Sequence, residues 1–523
     1  MDYETYNLIA IILSVLNAVC LSFMAYKFIH TYQLNNYHIT RLMNWLKRTN
    51  GKYWSRLFVV SVLSLAGLIV ANVLFAGHGR GLLSYIGLAF YFSMVIWFII
   101  ADARIPKKKP IVFTNRIKRL YVTLFLVIAF ATYGLMMAVY GASMIGGAQL
   151  SQMEVHLRFV IVGLSPVILP LYVIIAVFVN LPYEEIRRKL YISKATKNLA
   201  KYTNLIKIGI TGSYAKTSVK NILKSMLSIK YKVLASKGSY NTPLGMVMTI
   251  AKLKPTHDVL IAEMGARNVG QIRELCDMVH PNIGLITGIT GQHLETFGNI
   301  DNIVKCKKEL LDCLSTDGIA FVNGDSDLAL RVIDGSVETM ITGGKDSIVR
   351  AENVEVDRNG SQFDLVIGDL RRRVSTTMLG KHNVSNIVLA SAVAYRLGVT
   401  IDEIATVIST LKATEHRLEM RHNPNGITVI DDTFNANISG SRASLEVLGC
   451  FDYRRVIVTP GLVELGNKED EENYNLGVEI SKVCDLVVLI GTIRTEPIAR
   501  GLRDSGYDMD KVLVYDTLNE AIN

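Results

Sequence analysis

The sequence predicts two unlike parts: an α-helical membrane domain of about five spans, then an α/β region with a central phosphate-loop domain and a smaller Rossmann-like one. Three observations carry that prediction. Every apolar run long enough to cross a bilayer lies before about Leu181. From Ile206 onward, short β-branched runs alternate with helical periodicity, the pattern of a parallel sheet covered on both faces. The stretch 206 to 223, IKIGITGSYAKTSVKNIL, reads as strand, tight turn and helix, an arrangement that aims backbone N–H groups and a helix dipole at one point.

Composition sets the bounds. At 523 residues the chain is too long for one core, and half of it is hydrophobic. The net charge is +10, with basic residues concentrated beside the apolar runs. Such clusters read as membrane-lipid contacts and topology signals, and no nucleic-acid partner is implied. The six cysteines include no Cys-x-x-Cys pair and sit inside apolar patterns, so no metal or disulfide framework is implied either.

The membrane domain, 1–182, has expected spans at 7–28, 57–76, 82–101, 119–141 and 159–181. The first lacks a basic n-region and a cleavage site, so it is not a cleavable signal peptide. Arg41, Lys47, Arg48, Lys52 and Arg56 precede the second span, and Arg104, Lys107, Lys108, Lys109 and Arg116 follow the third. The other two connections carry only Arg80 and Arg158. The positive-inside rule then places the N-terminus outside and everything after Leu181 in the cytoplasm, where ATP is. No acidic or histidine residue lies in the middle of a span, which favours an anchor, or a platform for a lipid-linked substrate, over an ion pathway.

Residues 183–204 read as a charged juxtamembrane linker helix, and 205–412 as the central domain. Gly212 to Lys216 form its turn, in which Ala215 stands where a glycine is usual. Lys216 would neutralise phosphates, and Thr217 or Ser218 would place a hydroxyl on Mg²⁺. Strands are expected at 232–235, 259–263, 283–287 and 319–322, a hairpin turning at Asn359-Gly360, and a helix over 383–397. The last domain, 413–523, restarts as β-α-β at 427–430, 441–448 and 455–458, with further strands at 486–490 and 512–515.

Four further clusters would meet at the carboxyl ends of the strands, where open α/β sheets bind ligands. They are Glu263 in AEMGA, His293 in GQHLETFG, Lys305-x-Lys307-Lys308-Glu309 opening a helix, and DDTFNAN at 431–437. Singly they read as a polar strand end, a structural histidine, a solvated helix face and a strand exit.

In this order and spacing the motifs resemble the Mur ligase family, most nearly its branch that adds D-alanyl-D-alanine to a UDP-linked muramoyl tripeptide. TGSYAKTS, NTPLG, EMGA, GQHLETFG, GKHNVSN, HRLE and DDTFNAN carry the likeness, from about Ile206 to Val514. The resemblance implies ATP-dependent amide formation through an acyl phosphate in bacterial peptidoglycan synthesis. It implies that Gly212, Ser213, Lys216, Thr217 and Ser218 cradle the phosphates, with Lys216, Lys307 and His293 catalytic. Thr217, Glu263, His293 and a carbamylated Lys307 would hold magnesium. Asn383 or Asn386 would meet the adenine, and Arg417 and Asp432 would grip ATP from the last domain.

Departures accompany the likeness. Membrane spans occupy the place of the family's UDP-holding domain, so the muropeptide precursor is UDP-linked or lipid-linked, joined to an amino acid or dipeptide. Phe434 replaces a tyrosine, and TPGLVELG at 459–466 differs from the usual form. The chain ends at Asn523 just as a helix begins, so a shortened final domain is expected. Two other readings share these residues: a polyglutamate ligase, and a nucleotide-binding membrane scaffold without ligation. An ATP-driven transporter would need intramembrane charge and a second ATPase motif, and neither is found in the sequence.

Overall fold

The computed structural model describes residues 3–35, 37–48, 52–74, 80–104, 110–145, 147–292, 294–422, 426–434 and 437–522. The chain forms two compact units, residues 1–188 and 189–523.

The first unit is all helix: Tyr3–Met24, Tyr26–Leu34, Ile39–Arg48, Lys52–Leu74, Arg80–Ala103, Asn115–Ile145, and most of Gly147–Leu199. Among the described residues, three helices are long and apolar enough to span a membrane: Tyr3–Met24, Asn115–Ile145 and Val160–Leu199. Two shorter apolar stretches, Arg56–Gly67 and Leu88–Ala103, fall where the other two spans are expected. Of the basic loop after the third expected span, Lys107, Lys108 and Lys109 lie outside the described residues. Large apolar side chains such as Phe23, Trp97, Phe130 and Phe178 point outward.

Inside this unit one buried cluster of neutral polar groups satisfies itself. Asn17 Oδ1 accepts from Tyr91 Oη at 2.7 Å and Ser165 Oγ at 3.2 Å, and its amide donates to Thr132 Oγ1 at 3.2 Å. Four helices are thereby tied at one point by groups that have no water to turn to. A search for charged or histidine residues passes over this network.

The second unit is built on a nine-stranded sheet in the order β2-β3-β1-β4-β5-β6-β7-β8-β9. Its strands are β1 (Ile206–Thr211), β2 (Val233–Ala235), β3 (Val259–Glu263), β4 (Ile283–Ile286), β5 (Ile319–Asn323), β6 (Glu338–Thr342), β7 (Val349–Asp357), β8 (Gly360–Ile367) and β9 (Leu370–Thr376). The expected strands are present, but the sheet is mixed rather than parallel. The hairpin through Asn359-Gly360 joins β7 to β8, and β8 and β9 continue the sheet antiparallel. Their side chains explain why. The central strands read as near-continuous apolar runs buried on both faces, whereas β9 carries Arg371, Arg372 and Arg373 outward to Glu352, Asp402 and Glu355.

Alternation along the strands divides the core in two. Ile208, Ile210, Val259 and Ile261 face helices Lys216–Leu227, Lys381–Arg396 and Ile401–Thr410. Leu260 and Ala262 face helices Pro243–Ile250, Gln271–Val279 and Ile300–Asp312 on the other side. Ala195 and Leu199, at the end of the long helix, are buried in this second core.

The last part departs further from expectation. The strand expected at 427–430 does not join a β-α-β sheet. It is β11 (Thr428–Asp431), paired antiparallel with β10 (Glu419–His422) in a separate ribbon. The parallel sheet contains only β12 (Val456–Thr459), β13 (Leu486–Ile490) and β14 (Val512–Tyr515), in the order β12-β13-β14. Thr428 and Val429 are exposed, so β11 lacks the burial on both faces that a central parallel strand has.

Candidate functional site

The strand order reverses at β1, which lies between β3 and β4, and a crevice opens at such a switch point. Register makes the crevice specific. Ile210 stands opposite Glu263 of β3, and Thr211 opposite Ile286 of β4, so the turn after β1, the carboxylate ending β3 and the segment after β4 come out together.

The turn is tied to β4 by Ser213 N–H donating to Gly288 O at 2.7 Å and Thr287 Oγ1 donating to Tyr214 O at 2.5 Å. Gly212 is required by this closeness, since a Cβ there would sit 2.1 Å from Thr287 Oγ1. Ala215 caps the next helix with φ of 61°, in the left-handed region where glycine is the unstrained residue. Lys216 opens the helix, and its ammonium donates to Gly212 O at 2.6 Å and Ser213 O at 3.1 Å. Burial lowers its pKa to about 7, with Lys307 and Arg417 adding and Glu263 opposing.

Thr217 and Ser218 are buried in the first turn of that helix. Glu263 is 1% exposed, and neither carboxylate oxygen is idle: Oε2 meets Lys220 Nζ at 2.8 Å and Oε1 accepts from Asn241 Nδ2 at 3.1 Å. His293 lies outside the described residues. Lys307 does not open a helix as expected. It sits midway along Ile300–Asp312, which Asn299 caps, and burial lowers its pKa. Lys305 is exposed and Lys308 reaches Asp312 at 2.6 Å and Asp334 at 2.8 Å, the solvated character expected of the run. Glu309 fixes the helix by accepting from Gly270 N–H at 2.5 Å and Arg273 N–H at 2.9 Å.

Asn383 and Asn386 are buried on helix Lys381–Arg396; Asn383 donates to Leu379 O at 2.8 Å and Asn386 to Asn383 Oδ1 at 3.3 Å. Arg417 reaches in from the C-terminal part, its Nη2 3.5 Å from Thr217 Oγ1 and its guanidinium 4.5 Å above the Phe434 ring. His416 and Leu418 on either side both have left-handed φ, 59° and 46°. His416 Nδ1 meets Asp431 Oδ2 at 2.8 Å, which holds that strained segment in place. Asp432 accepts from Ser444 Oγ at 2.9 Å and Leu418 N–H at 3.3 Å, and burial raises its pKa. The two aspartates of DDTFNAN thus separate: Asp431 braces the backbone and Asp432 stands beside Arg417.

Lys220 and Asn241 escape sequence reasoning. A lysine in an amphipathic helix reads as a solvated face; the available signal is its spacing, four residues after Lys216 and so on the same side of the helix.

The donor set fits a nucleotide with magnesium. The Thr217 hydroxyl and the Glu263 carboxylate are buried at the turn after β1 and the end of β3, and Lys307 is buried on a neighbouring helix with its pKa lowered by that burial. Comparison with known proteins agrees. Residues 210–394 match the profile of the Mur ligase middle domain, and residues 416–523 that of the Mur ligase, glutamate ligase domain. UDP-N-acetylmuramoyl-tripeptide–D-alanyl-D-alanine ligase of Escherichia coli K12 is 30% identical over 290 residues, covering 54% of this chain and 64% of that one. The Bacillus subtilis 168 ligase of the same name is 27% identical over 276 residues, 52% of this chain and 60% of its own. The chain therefore spans less than two thirds of those relatives. A crystal structure of MurF from Acinetobacter baumannii superposes with a TM-score of 0.60 at 27% identity, covering 64% of this chain and 72% of that one. MurF from Thermotoga maritima in complex with ADP shares the fold with a TM-score of 0.58 at 24% identity, over 64% of this chain and 76% of that one.

Proposed function

This chain belongs to the Mur ligase family, and on that premise we propose that it is a membrane-anchored, ATP-dependent ligase joining D-alanyl-D-alanine to a muramoyl tripeptide. The observation that carries the reading is that Arg417 of the C-terminal part reaches Thr217, next to Lys216, at 3.5 Å, where β1 lies beside the strand that ends in Glu263. Five spans with an outside N-terminus and a cytoplasmic α/β region complete it, divided as 1–182, 183–204, 205–412 and 413–523. The apolar helices and the basic loops support that arrangement.

In the proposed reaction a substrate carboxylate attacks the γ-phosphate of ATP and expels ADP, and the amine of D-alanyl-D-alanine then attacks the acyl phosphate carbonyl, expels phosphate and loses a proton to leave the amide. Magnesium held by Thr217, Glu263, His293 and carbamylated Lys307 would supply charge neutralisation. Lys216 and the loop N–H groups hold the phosphates and let two anions approach. Asn383 or Asn386 would meet the base, while Arg417 and Asp432 would close over ATP from the other domain. Closure assembles the site and keeps water from the acyl phosphate.

The test is phosphate release by the detergent-purified chain with ATP and Mg²⁺, given D-alanyl-D-alanine and UDP-linked or lipid-linked muramoyl tripeptide, with products weighed by mass spectrometry. Turnover with the UDP-linked acceptor, lost in Lys216→Ala, is expected. Turnover only with the lipid-linked form would make the helical unit part of the substrate site. ADP binding without turnover on either would replace the ligase with a scaffold.

A further inference from the structure

The ion pair between Lys220 and Glu263 has no part in the account above. Both side chains are 1% exposed, and their charged atoms are 2.8 Å apart. Lys220 Nζ also donates to Gly238 O, in the same segment that brings Asn241 to the other carboxylate oxygen. A buried ion pair is weak evidence for stability, because apolar side chains of similar volume often serve as well. Its place needs another reason, and that place is the end of β3, opposite Ile210 and beside the phosphate loop.

We propose that Lys220 is a positioning residue, a tethered cation that aims the Glu263 carboxylate and limits how tightly it grips a divalent ion. The inference rests on the reading of Glu263 as a magnesium ligand. A fixed ammonium beside the carboxylate repels an incoming cation while keeping the carboxylate from swinging. Without it Glu263 keeps the Asn241 amide as its hydrogen-bond partner and only the weaker influence of Lys216 and Arg417, a deficit that a divalent ion relieves. Removing the ammonium therefore tightens metal binding and loosens geometry.

The experiment is calorimetric titration of the full chain with ADP at graded Mg²⁺, comparing wild type, Lys220→Met and Lys220→Arg. The Mg²⁺ concentration for half-maximal ADP binding should fall about tenfold in Lys220→Met. It should stay within about twofold of wild type in Lys220→Arg, which keeps the charge. Phosphate release by Lys220→Met should fall although it binds the metal more tightly. A Mg²⁺ requirement that is unchanged or higher in Lys220→Met overturns the inference.

If Lys220→Met does not fold, the double variant Lys220→Met with Glu263→Gln removes both charges. Recovery of a near wild-type Tm shows that Lys220 acts on the Glu263 charge; failure to recover shows a packing role and overturns the inference. ADP binding indifferent to Mg²⁺ in wild type would overturn the magnesium reading of Glu263 itself, and this inference with it.

Discussion

The two units bury polar groups in opposite ways. In the helical unit Asn17, Tyr91, Thr132 and Ser165 are neutral and consume each other's hydrogen bonds. In the α/β unit the crevice buries charge as well: Lys220 against Glu263, and Lys307, with Lys216, Arg417 and Asp432 partly buried nearby. A neutral network is self-sufficient and holds helices together. A buried charged cluster is expensive to fold, and a bound ligand of complementary charge offsets that cost. The contrast separates the unit that holds from the unit that reacts.

The contrast breaks most readily at Lys307. Lys307→Ala should abolish ligation, by a factor of at least about 100 in phosphate release, while ADP binding by calorimetry stays within about fivefold. Unchanged ligation would remove Lys307 from the reacting set and leave its burial structural.

A second test uses a buried group outside the crevice cluster. His382 packs against Gly380, and burial lowers its pKa to about 4 from 6.5. The unfolded chain then takes up a proton below pH 6.5 that the folded chain refuses, so this contribution is intact above pH 6.5 and is lost toward pH 4. The loss is on the order of 3 kcal/mol. His382→Gln should flatten the fall of Tm between pH 7 and pH 5; an equally steep fall would assign acid sensitivity to other groups.

The helical unit should respond differently. Asn17→Leu removes the centre of the neutral network and should lower stability in detergent by about 1 kcal/mol while leaving ADP affinity unchanged. A loss of ADP affinity would blur the division between the units.

The smallest effect is expected at the phosphate loop. Ala215→Gly relieves a left-handed Cβ and should raise stability by about 0.5 to 1 kcal/mol, seen as a small rise in Tm. A fall in Tm would mean that the Ala215 methyl packs more usefully than its backbone is strained.

The phosphate loop was legible because the chemistry constrains its spacing: a strand, a turn with Gly212, then Lys216 at the helix start. The clusters at Glu263 and Arg417 were legible as combinations rather than as single residues. The ribbon of β10 and β11 was hidden because a β-branched run such as Thr428–Ile430 looks the same whether it joins a sheet or a hairpin. Lys220 was hidden because burial of a lysine is decided by what packs over it, here Glu263 and the segment at Gly238. The Asn17 network was hidden because isolated Asn, Tyr, Ser and Thr in an apolar run do not announce that they meet.

The charged crevice around Lys216 also bears on how long the protein lasts in a cell. An anion that binds only the folded chain deepens the folded state by mass action, so nucleotide acts as a stabiliser as well as a reactant. The half-life under limited proteolysis should lengthen with added ADP and Mg²⁺ in wild type and not in Lys216→Ala; equal protection in both would refute the coupling. Where it holds, the lifetime of the folded chain follows the supply of adenine nucleotide.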